Sequence, residues 1–387
     1  MIRVIVLGMG MVASHYVVGL EKIRRNEVKP YGVPLARFKL PYRIEDVNIV
    51  GVYDVDKSKV NKTVYEVALK LIGDQLTIPT TLKDIVVRRG IHLGSLIGLP
   101  FSAKGIEDEV SVKEAIEMLV DEWKTLKPDI IVNVITTEYG RAFEDTNALH
   151  EAIEANDKSL LTASHAYAYA AAMYSKEVKP VAFINVIPTP LANDKAVIEL
   201  FKECHGLILG DDGATGATPL TADLLEHLAE RNRKVKYIVQ FNIGGNTDFL
   251  ALTVPERNLM KEETKSTIVR DILGYEAPHF IKPTGYLEPI GDKKYVAMHI
   301  EYYTFNNMSD EIFISARIND SPALAGLLVD LARLGKIALD NGFTGTVYEI
   351  NAFYMKKPGP PGSKSISRIL AFNNLINWLK QLNAIEY

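Results

Sequence analysis

The first apolar run of the chain, Val4 to Leu7 in "RVIVLGMGMVAS", carries no charge and is followed at once by glycines. Such a continuous run predicts a strand buried on both faces of a parallel sheet. Val17, Val18 and Leu20 then recur as in a helix, and "VNIVGVYDVD" gives a second buried strand, Val47 to Tyr53, ending at Asp54. The intervening residues 24–46 show neither period and read as a loop. The alternation continues with an amphipathic helix, "SVKEAIEMLVDEWKTL", and short apolar strands in "DIIVNVITTE", "VAFINVIP" and "LILG". This order predicts a doubly wound α/β layer, with ligands beyond the carboxyl ends of the strands. Those ends supply Thr136, Thr137 and Glu138, then Asn185 and Pro188, then Asp211 and Asp212.

After residue 220 the pattern changes. "KVKYIVQFNIGG" reads as a strand, and "YVAMHIEYYTF" and "EIFISARI" as long alternating strands joined by "NNMSD", which suits a sheet with one apolar face. "SPALAGLLVDLARLGKIALDNG" returns to a helix, expected to be capped by Ser321 and closed by Gly342. The expected fold is a Rossmann-type doubly wound parallel sheet domain with an inserted α+β catalytic and oligomerisation domain. The expected boundaries are 1–219, 220–322 and 323–387, the last segment closing the first domain.

Composition narrows the function. With 387 residues and a net charge of −4, the chain has no dense basic stripe with which to neutralise nucleic-acid phosphates. No apolar run reaches membrane-spanning length and the chain opens on a strand, so a cytoplasmic protein is expected. One cysteine, Cys204, leaves no internal disulfide framework and no Cys-rich metal site.

Gly8, Gly10 and Ala13 form G-x-G-x-x-A between a strand and a helix. This is the dinucleotide-binding pattern, in which glycines admit a pyrophosphate to a helix N-terminus and an acid after the next strand takes the ribose hydroxyls. That acid is Asp54, 46 residues after Gly8. The usual spacing is about 20, and residues 24–46 account for the excess. A second anion cradle is expected in "GDDGATGATPL", where Gly213, Thr215 and Gly216 lead into a helix with Thr218 as N-cap, Pro219 at its first turn and an apolar face of Leu220, Leu224, Leu225 and Leu228. The alternative is a tight strand-to-helix turn. Asp211 and Asp212 would repel a phosphate, so a cation must stand nearby. Lys261 and Lys265, four apart on a helix, share a face, as an anionic partner or as a solvated surface neutralised by Glu262 and Glu263. Lys293–Lys294 at a strand entrance and Lys356–Lys357 before a Pro are further candidates, although paired lysines in such places are usually surface gatekeepers. The residues themselves carry the reading as far as a nicotinamide enzyme acting on a phosphorylated substrate.

Nearly end to end, the chain resembles the myo-inositol-1-phosphate (inositol-3-phosphate) synthase family, particularly its shorter prokaryotic and archaeal members. The resemblance rests on "LGMGMVAS", "NVITTE", "NVIPTPLANDKA", "GDDGATGAT", "FNIGGNTDFL", "KEETKS", "GDKKYVAMHIEY", "INDSPALAGLLVD" and "NAFYMKKP", in that order. It implies conversion of D-glucose 6-phosphate to an inositol monophosphate. NAD oxidises C5, enolisation and an intramolecular aldol close the ring, and the ketone is reduced again, with no net redox.

The resemblance also implies roles. Lys294 and Lys356 are expected at the C5 oxygen and its proton, Lys261 at oxyanions of the enolisation and aldol steps, and Lys265 at the phosphate. Crowding is expected to depress some of these ammonium groups. Asp212, Asp248 and Asp320 are expected to position lysines and substrate hydroxyls. Asn242 and Asn246 are the substrate-side amides, and Thr215, Gly216, Ala217 and Thr218 the phosphate loop. Ala214-Thr215 stands where many relatives have Lys-Ser, so one loop charge is absent. Gly8, Gly10, Met11, Val12, Asp54, Thr136 and Thr137 are the cofactor set, and the Asp54 carboxylate, by repelling a 2′-phosphate, favours NAD over NADP. A divalent or monovalent cation could use Asp212, Asp320 and Ser321, although no metal motif is complete. A homotetramer formed through the second sheet is implied as well. Two further readings stay open: a dehydrogenase on a phosphorylated sugar that releases NADH, and a non-catalytic nucleotide-binding protein.

Overall fold

The computed structural model describes residues 1–386, apart from the side chains at 260 and 262–266. The apolar runs, with a short edge strand of sequence Val-Arg-Arg, form a parallel sheet of β1 (Ile2–Leu7), β2 (Val47–Asp54), β3 (Val87–Arg89), β4 (Ile130–Asn133), β5 (Ala182–Asn185) and β6 (Leu207–Leu209), in the order β3-β2-β1-β4-β5-β6. The strand order reverses between β1 and β4, which opens a crevice at their carboxyl ends. Each face of the sheet is covered. On one side the Met11–Arg24 and Ser321–Asp340 helices pack through Val17, Leu328 and Leu331. On the other, the Val112–Leu126 and Ala163–Glu177 helices pack through Leu119, Trp123 and Tyr167. The first of these latter helices starts where its capping box predicts, with Ser111 Oγ accepting from Glu114 N at 3.2 Å.

The second sheet contains β7 (Lys234–Gly244), β8 (His279–Tyr286), β9 (Lys293–Tyr303) and β10 (Ser309–Asn319), in the order β10-β9-β7-β8. Only β7 and β8 run parallel; the other two pairings are antiparallel. Val296, Met298 and Ile300 of β9 face the Thr218–Ala229 and Pro255–Leu273 helices, whereas Tyr295 and Tyr303 face outward with Phe313 of β10. Alternation by two therefore puts Lys294 on the inner side with Val296 and leaves Lys293 exposed. Among the described residues, no helix is long and apolar enough to cross a membrane.

The expected loop begins one residue late, because Arg24 ends the Met11–Arg24 helix; residues 25–46 hold no strand and no α-helix, yet they are anchored. Val33, Leu35, Phe38 and Leu40 are buried in the core under the Ser321–Asp340 helix. Asp330 of that helix accepts Leu35 N at 2.8 Å and the Tyr354 hydroxyl at 2.9 Å, and pairs with Arg333. Removing a buried ion-pair partner leaves an uncompensated charge, at about 3–5 kcal/mol. Asp330→Ala is accordingly expected to lower stability by about that amount. The check is urea unfolding at unchanged slope; an unaltered midpoint would show that the insertion is held elsewhere.

Candidate active site

The Gly8–Gly10 turn leaves β1 with Gly8 at φ 93, and a Cβ there would stand 2.9 Å from the Ile135 backbone. Only glycine fits so close to the chain leaving β4. Gly10 is the opposite case: no atom lies within 4 Å of where its Cβ would stand. That space belongs to a long cavity lined at one end by Gly8, Gly10, Met11, Val12, Asp54, Thr136 and Thr137. Its other end is lined by Asp212, Thr215, Ala217, Thr218, Asn242, Asn246, Asp248, Lys261, Lys294, Asp320, Ser321 and Lys356. Gly216, at φ 70, lies against it, because a Cβ there would collide with Lys294 Nζ. Lys265 lies outside the described residues.

Three ammonium groups from distant parts of the chain meet here. Asp212 Oδ1 accepts from Lys261 Nζ at 3.1 Å and from Lys356 Nζ at 3.0 Å. Lys261 also stands 3.5 Å from Asp248, whose other oxygen accepts the Thr137 hydroxyl at 2.9 Å. Asp320 accepts Lys294 Nζ at 2.7 Å and the Thr215 hydroxyl at 3.1 Å. The two acids of "GDDGATG" divide their work. Asp212, at φ 60, faces the lysines. Asp211 faces away and gathers Asn185 Nδ2, Leu191 N, Ala192 N and Asn193 N within 3.1 Å.

Burial and charge compete at each group. Burial alone would raise the Asp212 carboxyl, but Lys261 and Lys356 overcome it and hold the group well below the usual carboxylate range. The Asp320 carboxyl settles at about 2, again against burial, chiefly because of Lys294. The expected depression of the ammoniums holds for one lysine and is reversed for another. Lys356 is lowered by burial, more than Asp212 restores, with the Lys261 and Lys294 charges adding to the fall. Lys261 is raised despite its burial, because Asp212 and Asp248 both attract its charge. Their surroundings therefore push the two neighbouring ammonium groups in opposite directions.

Two capping expectations are corrected, and several expected residues carry structural contacts as well. Thr218 is the first residue of its helix, and the N-cap is Ala217, which has no side-chain cap to offer. That helix buries Thr218, Thr221, Ala222, Leu225 and Leu228, with Leu220 exposed, because the buried stripe runs one step round from the all-leucine face. Ser321 is likewise inside its helix; Asp320 is the N-cap but makes no cap bond, its carboxylate being engaged by Lys294 and Thr215. Asn246 is half committed to structure, capping the Thr247–Ala251 helix and donating to Asp292 at 2.9 Å. Asn242 donates to Lys282 O and accepts from Gln240. Glu138 is buried under the start of the Ala163–Glu177 helix, which it holds through Ala163 N and Ser164 N at 3.0 Å; burial pushes its carboxyl up to about 7. As for the metal candidates, Asp212 and Asp320 are paired with lysines and the Ser321 hydroxyl donates to Asp292 at 2.6 Å. Among the described residues no group of three His, Cys, Asp or Glu side chains is placed to hold a metal.

A myo-inositol-1-phosphate synthase-related protein from Thermotoga maritima MSB8 is 56% identical to this chain, each covering 98% of the other, with a TM-score of 0.93. The chain belongs to the myo-inositol-1-phosphate synthase family. The family model itself, Myo-inositol-1-phosphate synthase, matches residues 216–321, which hold much of the lysine cluster. An inositol-3-phosphate synthase of Mycolicibacterium smegmatis is 27% identical over 95% of this chain and 96% of its own length. The inositol-3-phosphate synthase structure from Caenorhabditis elegans shares the fold at 18% identity, with a TM-score of 0.82 over 98% of this chain and 85% of that one.

The family motifs did not point to Asp292, two residues before Lys294. Its carboxylate accepts Ser321 N at 2.9 Å as well as the Ser321 hydroxyl and Asn246, and its carbonyl accepts Lys294 N at 3.1 Å. It thus locks the start of β9 to two helix starts around the Lys294–Asp320 pair. Its sequence signal is the acid of "GDKKY", directly before the lysine pair. Thr247 and Phe249 also line the cavity unpredicted, with Lys294 Nζ 5.7 Å from the centroid of the Phe249 ring.

A carboxyl held below its ordinary value stabilises the fold above that value and loses the contribution as pH falls towards its folded pKa. For Asp320 the window runs from the usual value of about 3.9 down to about 2. Denaturant midpoints measured from pH 5 to pH 2 are expected to fall through this window, and Asp320→Asn is expected to lower the plateau and flatten the slope. An unchanged slope would mean that the Lys294–Asp320 pair contributes nothing to the native state.

Proposed function

We propose that the chain is an NAD-dependent inositol-3-phosphate synthase, an isomerase (intramolecular lyase) that converts D-glucose 6-phosphate to 1D-myo-inositol 3-phosphate with no net redox. The observation that carries this reading is the placement of Lys261, Lys294 and Lys356, each paired with an aspartate, in a cavity continuous with the glycine turn.

The residues fit a dinucleotide. The space beside Gly10 would be filled by a Cβ, and the backbone of Gly8 to Val12 opens onto it at the start of the Met11–Arg24 helix. These residues would hold the pyrophosphate, with Asp54 at the adenosine end and Thr136 and Thr137 towards the lysines. When bound, NAD supplies the hydride acceptor and donor. Thr215, Gly216, Ala217 and Thr218 would take the substrate phosphate, where the Thr218–Ala229 helix starts without a side-chain cap. The ammonium of Lys294 lies against Gly216 and supplies positive charge to a loop that lacks a lysine of its own. Lys265 is kept as a further phosphate ligand.

Lys356, with its lowered pKa, carries the proton of the C5 hydroxyl. Lys294 faces the oxygen that develops there. Lys261, held charged by two aspartates, stabilises the enolate and the C1 alkoxide of the aldol closure. Asp212 sets the distance between the two lysines it bridges, and Asp248 and Asp320 orient Lys261 and Lys294. A cytoplasmic homotetramer completes the proposal, with the outward aromatic face of β9 and β10 as its contact. The division into residues 1–219, 220–322 and 323–387 also belongs to it.

Incubation with glucose 6-phosphate and NAD⁺ is expected to give inositol phosphate by NMR without accumulation of NADH. Stoichiometric NADH with no inositol phosphate would instead make the chain a dehydrogenase. Lys356→Met is expected to reduce kcat by about 10²–10⁴-fold, the usual worth of a general acid/base, with dinucleotide binding retained.

The pH profile provides a separate check. A base acts when neutral, so kcat is expected to rise with pH along a limb centred below the usual lysine value of about 10.4. Asp212→Asn, which removes the carboxylate favouring the ammonium, is expected to move that limb to lower pH. A limb that stays in place would assign the proton to another group.

A further inference from the structure

The acid at the adenosine end is not bare. Asp54 Oδ2 accepts Met9 N at 2.7 Å and Lys59 Nζ at 3.1 Å, while Oδ1 accepts Val55 N at 2.7 Å and Asp56 N at 2.9 Å. An ionised carboxylate has about four lone-pair sites, so all are taken. Three of the donors are backbone N–H groups fixed by the glycine turn and the end of β2. The fourth is a flexible side chain. Lys59 keeps about a fifth of its side chain exposed (22%), lines the same cavity as Asp54 and Asp56, and stands 4.0 Å from Asp56. Ribose hydroxyls can gain an acceptor on Asp54 only where the ammonium gives way.

The same contact weakens the argument that Asp54 excludes a 2′-phosphate. That argument takes the carboxylate as an uncompensated negative charge, whereas here an ammonium neutralises it at hydrogen-bond distance. We propose that Lys59 determines the dinucleotide preference: it yields its place on Asp54 to the ribose hydroxyls of NAD and pairs with the 2′-phosphate of NADP, so that the site accepts both. The inference rests on the dinucleotide reading of the cavity. Lysine is suited to this exchange because its charge sits on a flexible stem with three rotatable donors, unlike the rigid fork of an arginine. Asp56 keeps a negative charge beside the site, which holds NADP below parity with NAD.

The test is direct binding of NADH and NADPH by nucleotide fluorescence and calorimetry, in the wild-type chain, Lys59→Met and Lys59→Arg. Wild type is expected to bind both. In Lys59→Met the ratio of the NADPH to the NADH Kd is expected to rise about tenfold or more, the loss of one charge-assisted contact, and Lys59→Arg to restore it. A smaller rise overturns the role of Lys59 but leaves the dinucleotide site intact, since NADH still binds. If wild type binds neither nucleotide, the dinucleotide reading fails and this inference with it. Asp54 keeps its three backbone N–H donors when Lys59 is replaced, so Lys59→Met is expected to stay folded, and melting curves of each variant separate a change in recognition from unfolding.

Discussion

The Asp212 carboxylate, buried between Lys261 and Lys356, is the contact on which the site depends. Two ammonium groups brought together away from water would repel each other and lose their hydration, an arrangement that is strongly unfavourable unless a counter-charge lies between them. Asp212 supplies that charge from a left-handed backbone position just beyond β6, where its neighbour Asp211 is clamped by backbone N–H groups of residues 191–193. The clamp on one acid thereby sets the direction of the other. Catalysis needs positive charge that is in place before the reacting oxyanions form, because reorganising it during the reaction would add to the barrier. A carboxylate fixed by the fold meets that need better than mobile surface lysines could.

The differing environments of the lysines follow from how many acids each can reach. Lys261 has Asp212 and Asp248, and its charge is secured. Lys356 lies deep in the protein and shares the one carboxylate it contacts, Asp212, with a like-charged neighbour; the more distant pull of Asp320 does not offset this, and its pKa is lowered. In the proposed mechanism one type of side chain serves as a permanent cation and as a proton carrier within one cavity, separated by environment alone.

Much of this was legible in the chain. The buried strands, the glycine turn and Asp54 follow from apolar continuity and punctuation, because central parallel strands admit few polar residues. What stayed hidden has local causes. β8, "HFIKPTGY", contains Pro283 and Gly285 and sits at the sheet edge, where a missing N–H is tolerated and the alternating pattern is weak. The Ala163–Glu177 helix is buried over most of its surface, so "ASHAYAYAAAMY" has no polar stripe to reveal a 3.6-residue period. Each Lys-Lys pair was ambiguous until register placed one member inside: strand alternation selects Lys294, and the Gly213–Met355 bridge brings Lys356 to Asp212. Asp292 escaped because its partners, Asn246 and Ser321, are far from it in sequence.

The site is also a joint in the fold. Asp212 comes from the edge of the parallel sheet, Lys261 from a helix packed on the second sheet, Lys294 from β9 and Lys356 from the segment after the Tyr348–Tyr354 helix. None of these pairs is local, so their closure entropy must be met before the ion pairs form. That cost is met by burial of the hydrophobic layers that carry the four segments. The charged cluster then reports that both sheets stand in register, since displacing either would leave buried ammoniums without their aspartates. An error in assembly is therefore penalised at the point where it would also disable the chemistry.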